Sequence, residues 1–179
     1  MICVEVVVMA EGKVTEGKVK VAIQIRDDEG ELCPAEWLWA TIVFEDQRKG
    51  IYCLLNTPFF APFALGDLVE ARFRRNGDRF VTALHRRGGR TAHLIVYPAN
   101  ADRAAIQVLA EQWRSTGSWV EGFAGGTALT VAVDRLAGGH PTGPEIATLA
   151  MSGQLEYVTL LADPSELPDD PVFRYVVAA

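Results

Sequence analysis

The apolar residues change their period near Arg90, which limits the chain to a β-rich first half and a mixed second half. Val19, Val21, Ile23 and Ile25 alternate with Lys18, Lys20, Ala22 and Gln24, and Trp37 to Phe44 is rich in aromatic and β-branched residues. Val4 to Met9 and Ile51 to Leu55 are further strand candidates, the latter ended by Asn56-Thr57-Pro58. Phe59, Phe60 and Phe63 follow beside two prolines, a grouping suited to closing the end of a small barrel. After Arg90, Ile106, Leu109, Ala110 and Trp113 fall at helical spacing, with Asn100 or Asp102 as cap and Gly117 as stop. Thr142-Gly143-Pro144-Glu145 has the spacing of a capping box before a second helix that Gly153 ends. Strands are expected at Thr91 to Tyr97, Trp119 to Ala124, Thr127 to Val133 and Leu155 to Leu161.

With 179 residues, 49% of them hydrophobic, the chain can bury one sizeable core or two small ones. The expected class is α+β: a small β-barrel-like unit over residues 1–90, then a ferredoxin-like β-α-β-β-α-β sandwich over 91–162. Residues 163–179 form an acidic, proline-containing tail whose Val172 to Val177 is apolar enough to return as an edge strand. Within the barrel, Asn76-Gly77 is the strongest hairpin signal. Read as a two-residue turn, it sets Phe73 opposite Phe80, Ala71 opposite Thr82 and Val69 opposite Leu84 on the core face, with Arg74 opposite Arg79 outside.

Several function classes fall away at this level. No apolar run has the length of a membrane span, and Met1 to Ala10 lacks the basic leader and cleavage site of a secretory signal, so a cytoplasmic protein is expected. Cys3, Cys33 and Cys53 are odd in number and widely spaced, as in a reducing compartment. Neither a metal-ligand spacing nor a phosphate loop is present, so no metal or cofactor is expected. The loop Gly138 to Gly143 precedes a helix start, but Glu145 in that first turn opposes an anion. Asp67 and Glu70 fall on opposite faces of a strand, which argues against acid/base chemistry.

Charge carries the main functional expectation. Residues 72–90 hold seven arginines against one acid, a balance of +6 in a chain whose formal net charge is −6. Arg72, Arg74, Arg79, Arg86 and Arg87 on one β-ribbon would offer rigid guanidinium forks to an anionic peptide, protein or phosphate group. Nucleic acid is disfavoured, because a single-strand binder interleaves exposed aromatics with its cations and Phe73 and Phe80 count inward here. A non-catalytic binding protein is therefore expected, in an immunity or accessory role of a bacterial gene cluster. The rival is a small enzyme with an aromatic pocket between the two units, drawn from Trp37, Trp39, Phe59 and Phe60, where Cys53, His85 or His93 would do chemistry.

Three segments also carry a resemblance. Glu36-Trp37-Leu38-Trp39-Ala40, Tyr52 to Phe60 and Leu65-Gly66-Asp67-Leu68-Val69 are similar to the "LWA", "L-x-N-x-PFF" and "GD-hydrophobic-V" segments of the bacterial domain of unknown function 4265, and Val120-Glu121 stands at its "VE" strand. The resemblance covers roughly residues 18–162 and implies no catalytic residues, because the family has no established activity. Where members tend to have a Ser-Gly-His-type turn, this chain has Gly88-Gly89-Arg90.

Overall fold

The computed structural model describes residues 17–26, 29–98, 100–122, 128–134, 142–161 and 173–174. The expected strand Val4 to Met9, Cys3, the loops at Gly125-Gly126 and Gly138 to Pro141, and the acidic segment of the tail lie outside them. In chain order the strands are β1 (Lys18–Ile23), β2 (Ile25–Arg26), β3 (Glu36–Glu45), β4 (Lys49–Leu54), β5 (Leu68–Phe73), β6 (Arg79–Arg86) and β7 (Arg90–Val96). Then come α1 (Arg103–Ser115), β8 (Trp119–Gly122), β9 (Ala128–Asp134), α2 (Thr142–Met151), β10 (Glu156–Leu161) and β11 (Phe173–Arg174).

Strands β1, β3, β4, β5 and β6 close into a barrel in that order. Successive partners are antiparallel, so the first and fifth point the same way and the barrel closes through a parallel bridge, Ala22 to Phe80. Alternation along the strands sends Val21, Ile23, Leu38, Leu54, Val69 and Val81 inward to one core. Phe63 is fully buried in that core and Phe60 packs against it. The two-residue strands β11 and β2 pair in parallel, so the tail does return at Phe173–Arg174 to a strand edge.

The β5–β6 hairpin departs from the counted register. The amide of Arg74 donates to Asp78 O at 2.8 Å and that of Gly77 to Arg74 O at 2.9 Å, which makes a three-residue turn with Gly77 at φ +85°. Asparagine-glycine supports a two-residue turn or this longer one, and the bond that the Asp78 amide donates to Asn76 Oδ1 helps set the longer one. A slip of one residue exchanges faces. Phe73 consequently opposes Arg79, and Arg72 opposes Phe80, so Phe80 lies on the outside of the barrel rather than in its core. An irregularity in pairing between Glu70 and Ala71 then restores the counted partnership of Val69 with Leu84.

The second sheet has the order β10-β7-β9-β8, every neighbouring pair antiparallel. Helix α1 is capped by the Asp102 carboxylate, which accepts from the Ala104 amide at 2.9 Å, and Gly117 at φ +93° ends it. Its buried stripe of Ile106, Ala110 and Trp113 packs with Ile146 of α2 on the sheet face carrying Ile95 and Val131. Glu145 joins the two helices by accepting from Trp113 Nε1 at 2.9 Å. The opposite sheet face meets the barrel: Ala92 packs on Ala64, and Thr130 Oγ1 donates to Thr57 O at 3.4 Å.

That junction leaves no room at Gly88. A Cβ there would stand 2.5 Å from Gly66 C, 2.7 Å from Gly66 O and 2.9 Å from Asp67 N, all backbone atoms. Gly88→Ala is therefore expected to lower stability by about 1–3 kcal/mol. A denaturant midpoint equal to that of the unsubstituted protein would contradict this tight approach.

Candidate functional site

The arginines of the basic segment divide into three environments. Arg79 points inward at one end of the barrel, where Nε donates to Glu45 Oε2 at 2.9 Å and Nη2 to Oε1 at 3.3 Å. The Tyr52 hydroxyl donates to the same carboxylate at 2.7 Å. Burial alone would raise the Glu45 carboxyl, but the bonds from Arg79 and Tyr52 hold it below its ordinary range. Burial, followed by that anion, pushes the Tyr52 phenol up. Gly50 is required here, since the Tyr52 hydroxyl occupies the position 2.5 Å from where a Cβ would be.

Arg87 is held at the other end of β6, against the second sheet. Its Nη1 donates to Asp67 Oδ2 at 2.9 Å and to Pro62 O at 2.7 Å, and only 9% of its side chain is exposed. Asp67, fully buried, also accepts from the amides of Ala64 at 3.0 Å and Gly88 at 2.7 Å. Desolvation nevertheless leaves its carboxyl raised. Arg90 binds Leu65 O at 3.2 Å nearby. Asp67 is thus an internal anchor.

Arg72, Arg74 and Arg75 remain at the β5–β6 turn, while Arg86 is exposed at the far end of the ribbon. The turn residues adjoin a second hairpin tip that connects β3 to β4. There the Asp46 carboxylate accepts from the amides of Arg48 at 2.7 Å and Lys49 at 2.9 Å, and these bonds keep its carboxyl low. Phe73 N donates to Arg48 O at 3.1 Å and holds the two tips together. Between them lies a shallow groove of about 670 Å³, lined by Gln47, Arg48, Lys49, Arg72, Phe73, Arg74 and Arg75. Five of these seven are cationic and none is acidic. Glu70 partly offsets the charge, 3.1 Å from Lys49 and 3.9 Å from Arg72. Arg74 and Arg75 form no ion pair with a carboxylate among the described residues, and Arg48 meets only the field of Asp46.

Arg48 and Lys49 escaped the sequence reading. They are about 25 residues from the arginine run and reach the groove only because β4 pairs with β5, which sets Lys49 opposite Arg72. The signal available was a short polar turn, Asp46 to Lys49, between two strand candidates.

Of the residues of the rival pocket, Phe59 and Phe60 pack ring against ring with centroids 6.2 Å apart, while His85 and His93 stand on different sheets. Trp37 and Trp39 are on the outer side of β3, 43% and 49% exposed. Cys53 Sγ lies 3.9 Å from Gly66 O, and Cys33 and Cys53 are both thiols. His85 is exposed on β6. His93 is on β7 of the other sheet, with Nε2 3.2 Å from Thr91 Oγ1, and burial lowers its pKa. The Phe59 and Phe60 amides donate to the Glu36 carboxylate at 2.7 and 3.2 Å. Burial, resisted by those two bonds, pushes the Glu36 carboxyl up to about 7, and Glu121 adds to the rise. Glu121 is itself raised by burial.

Comparison with known proteins bears on the fold and the family. No curated protein matches the chain significantly. A solved structure titled "Novel crystal structure of a hypothetical protein from Neisseria gonorrhoeae" is 19% identical, with a TM-score of 0.61 over 82% of this chain and 96% of that one. It shares the fold. The family model for a domain of unknown function, DUF4265, matches residues 36–157, from the start of β3 into β10, and the chain therefore belongs to that family.

Proposed function

We propose that this is a non-catalytic binding protein that holds an anionic group of a peptide, protein or phosphate compound in the groove between its two barrel hairpins. The observation that carries this reading is the convergence of Arg48, Lys49, Arg72, Arg74 and Arg75 on one acid-free lining. A guanidinium or ammonium at such a surface gains most when its partner is a carboxylate or phosphate that it can meet with charge-assisted bonds. The active arginines in this reading are Arg72 and Arg74 of the ribbon. Arg79 and Arg87 are committed to Glu45 and Asp67, and Arg86 adds only long-range field.

Two further parts of the reading follow the same lines. The unit β7-α1-β8-β9-α2-β10 is a ferredoxin-like sandwich over 91–162 behind a barrel domain over 1–90, supported by its strand order. An accessory or immunity protein in the cytoplasm suits a binding surface of this kind, and three widely spaced cysteines suit a reducing compartment.

The test is calorimetric titration with tripolyphosphate and with a hexaglutamate peptide at low salt. The unsubstituted protein is expected to bind at least one of them, more weakly as salt rises. Arg48→Ser with Arg74→Ser should reduce that affinity by about tenfold or more, at an unchanged melting temperature, because each lost charge-assisted contact is worth about 1.5–3 kcal/mol. Equal affinity in the variant would overturn the assignment.

A further inference from the structure

The register of the β5–β6 hairpin removes the reason for setting nucleic acid aside. Phe80 faces out, and cross-strand pairing places it in one row around the barrel: Lys49 opposite Arg72, Arg72 opposite Phe80, Phe80 opposite Ala22, Ala22 opposite Trp37. Directly paired residues project from the same face of a sheet. Ala22, small and fully buried, lets the rings of Phe80 and Trp37 meet above it edge to face, with centroids 6.1 Å apart. The guanidinium of Arg74 lies on the Phe80 ring at 3.4 Å. In the adjoining row Lys20 opposes Trp39 and holds its ammonium 5.1 Å from the ring centroid. The cations of the basic groove thus give way, through Arg74 lying on the half-buried Phe80, to the exposed Trp37 and Trp39 of β3.

We propose that this outer face binds single-stranded nucleic acid, its phosphates on Arg48, Lys49, Arg72 and Arg75 and its bases stacked on Trp37, Trp39 and the Arg74 guanidinium. The proposal rests on the anion-binding reading of the groove and names the anion. Trp37 and Trp39 are two residues apart on one strand, so their Cα atoms stand about 7 Å apart and both side chains leave the same face, a spacing that lets each meet a different base of an extended strand. An aromatic ring or guanidinium plane stacks on any base, so such a platform is sequence-tolerant. An acidic peptide would use the cations but has no planar group for the two tryptophans. The chain's negative total charge opposes approach at long range, so binding should be salt-sensitive and should need the stacking contribution. Paired bases in a duplex are not available to stack, which sets single strands apart.

The experiment uses the full chain with labelled oligothymidylate and oligouridylate of about 15 nucleotides, a size within the range one small barrel covers. Anisotropy is followed at roughly 50 mM salt and upward, beside inorganic polyphosphate and a glutamate peptide of equal charge. The expected result is that at least one oligonucleotide binds more tightly than both base-free polyanions and quenches tryptophan fluorescence. Trp37→Ala and Trp39→Ala should each weaken it about fivefold to a hundredfold and leave the salt slope unchanged. Arg48→Ser with Arg72→Ser should instead flatten that slope. Trp39→Phe, which keeps a ring, should retain most of the affinity. Oligonucleotide affinity indifferent to both tryptophans, or matched by the glutamate peptide, overturns the inference. In those cases polyphosphate or peptide binding that the arginine variants abolish leaves the groove reading standing, whereas no binding of any probe sinks both.

Discussion

Asp67→Ala is expected to cost about 3–5 kcal/mol, a large part of the stability of a domain this size. The carboxylate is fully buried and accepts three bonds, from Arg87 Nη1 at 2.9 Å, Gly88 N at 2.7 Å and Ala64 N at 3.0 Å. Removing it takes the carboxylate acceptor from a guanidinium that is 9% exposed and from two amides, in a place where the Gly66 and Gly88 backbones touch. The loss is dominated by the buried cation deprived of this carboxylate, since a buried pair that is intact contributes little beyond its own desolvation cost. Urea unfolding with an unchanged slope measures it. Arg87→Met, which leaves the two amides their acceptor, should cost less than Asp67→Ala, and exposed Arg86→Ala should change stability by no more than about 0.5 kcal/mol. An Asp67→Ala loss near 1 kcal/mol would show that water replaces the carboxylate and that the junction is not dry.

The second large effect is a fall in stability as pH rises, traced to Glu36. Its carboxyl moves from 4.5 to about 7 in the folded protein because burial outweighs the two amides it accepts from. Below pH 4.5 the group is protonated folded and unfolded, and no penalty exists. Between 4.5 and 7 the native state holds the proton more firmly than the unfolded chain, so stability declines with pH, and above 7 the full loss is about 3 kcal/mol. The raised Asp67 and Glu121 carboxyls act in the same sense. His93 acts in the opposite sense: its lowered pKa makes stability rise with pH as the imidazole loses its proton below its ordinary value of 6.5. The comparison that isolates Glu36 is therefore Glu36→Gln against the unsubstituted protein across pH 5 to 8. The amide has one acceptor oxygen for the Phe59 and Phe60 N–H groups, so it should cost about 1 kcal/mol at pH 5. At pH 8 it should be the more stable protein by about 2 kcal/mol. Parallel pH curves would show that Glu36 reaches water and titrates normally.

Much of the local structure was legible before any coordinates. The β1 alternation, the α1 stripe with Asp102 and Gly117 at its ends, and the Gly153 stop follow from side-chain period and turn chemistry, which act over a few residues. Gly66-Asp67 was visible as a turn and as part of the family resemblance, yet its structural role was not. Its partner Arg87 stands 20 positions away and meets it only where the barrel joins the second sheet.

The amino-acid sequence by itself determined, among the described residues, the main strands and both helices, that the first half closes as a β-unit, and that one segment concentrates positive charge. Only the tertiary structure decided which of those charges face water. Glu45 and Asp67 take Arg79 and Arg87, while β3–β4 brings Arg48 and Lys49 to Arg72 and Arg74. The side on which Phe80 stands was decided there as well. Asparagine-glycine admits turns of two or three residues, and a difference of one residue reverses the faces of a strand, so the outcome depends on how the whole barrel closes.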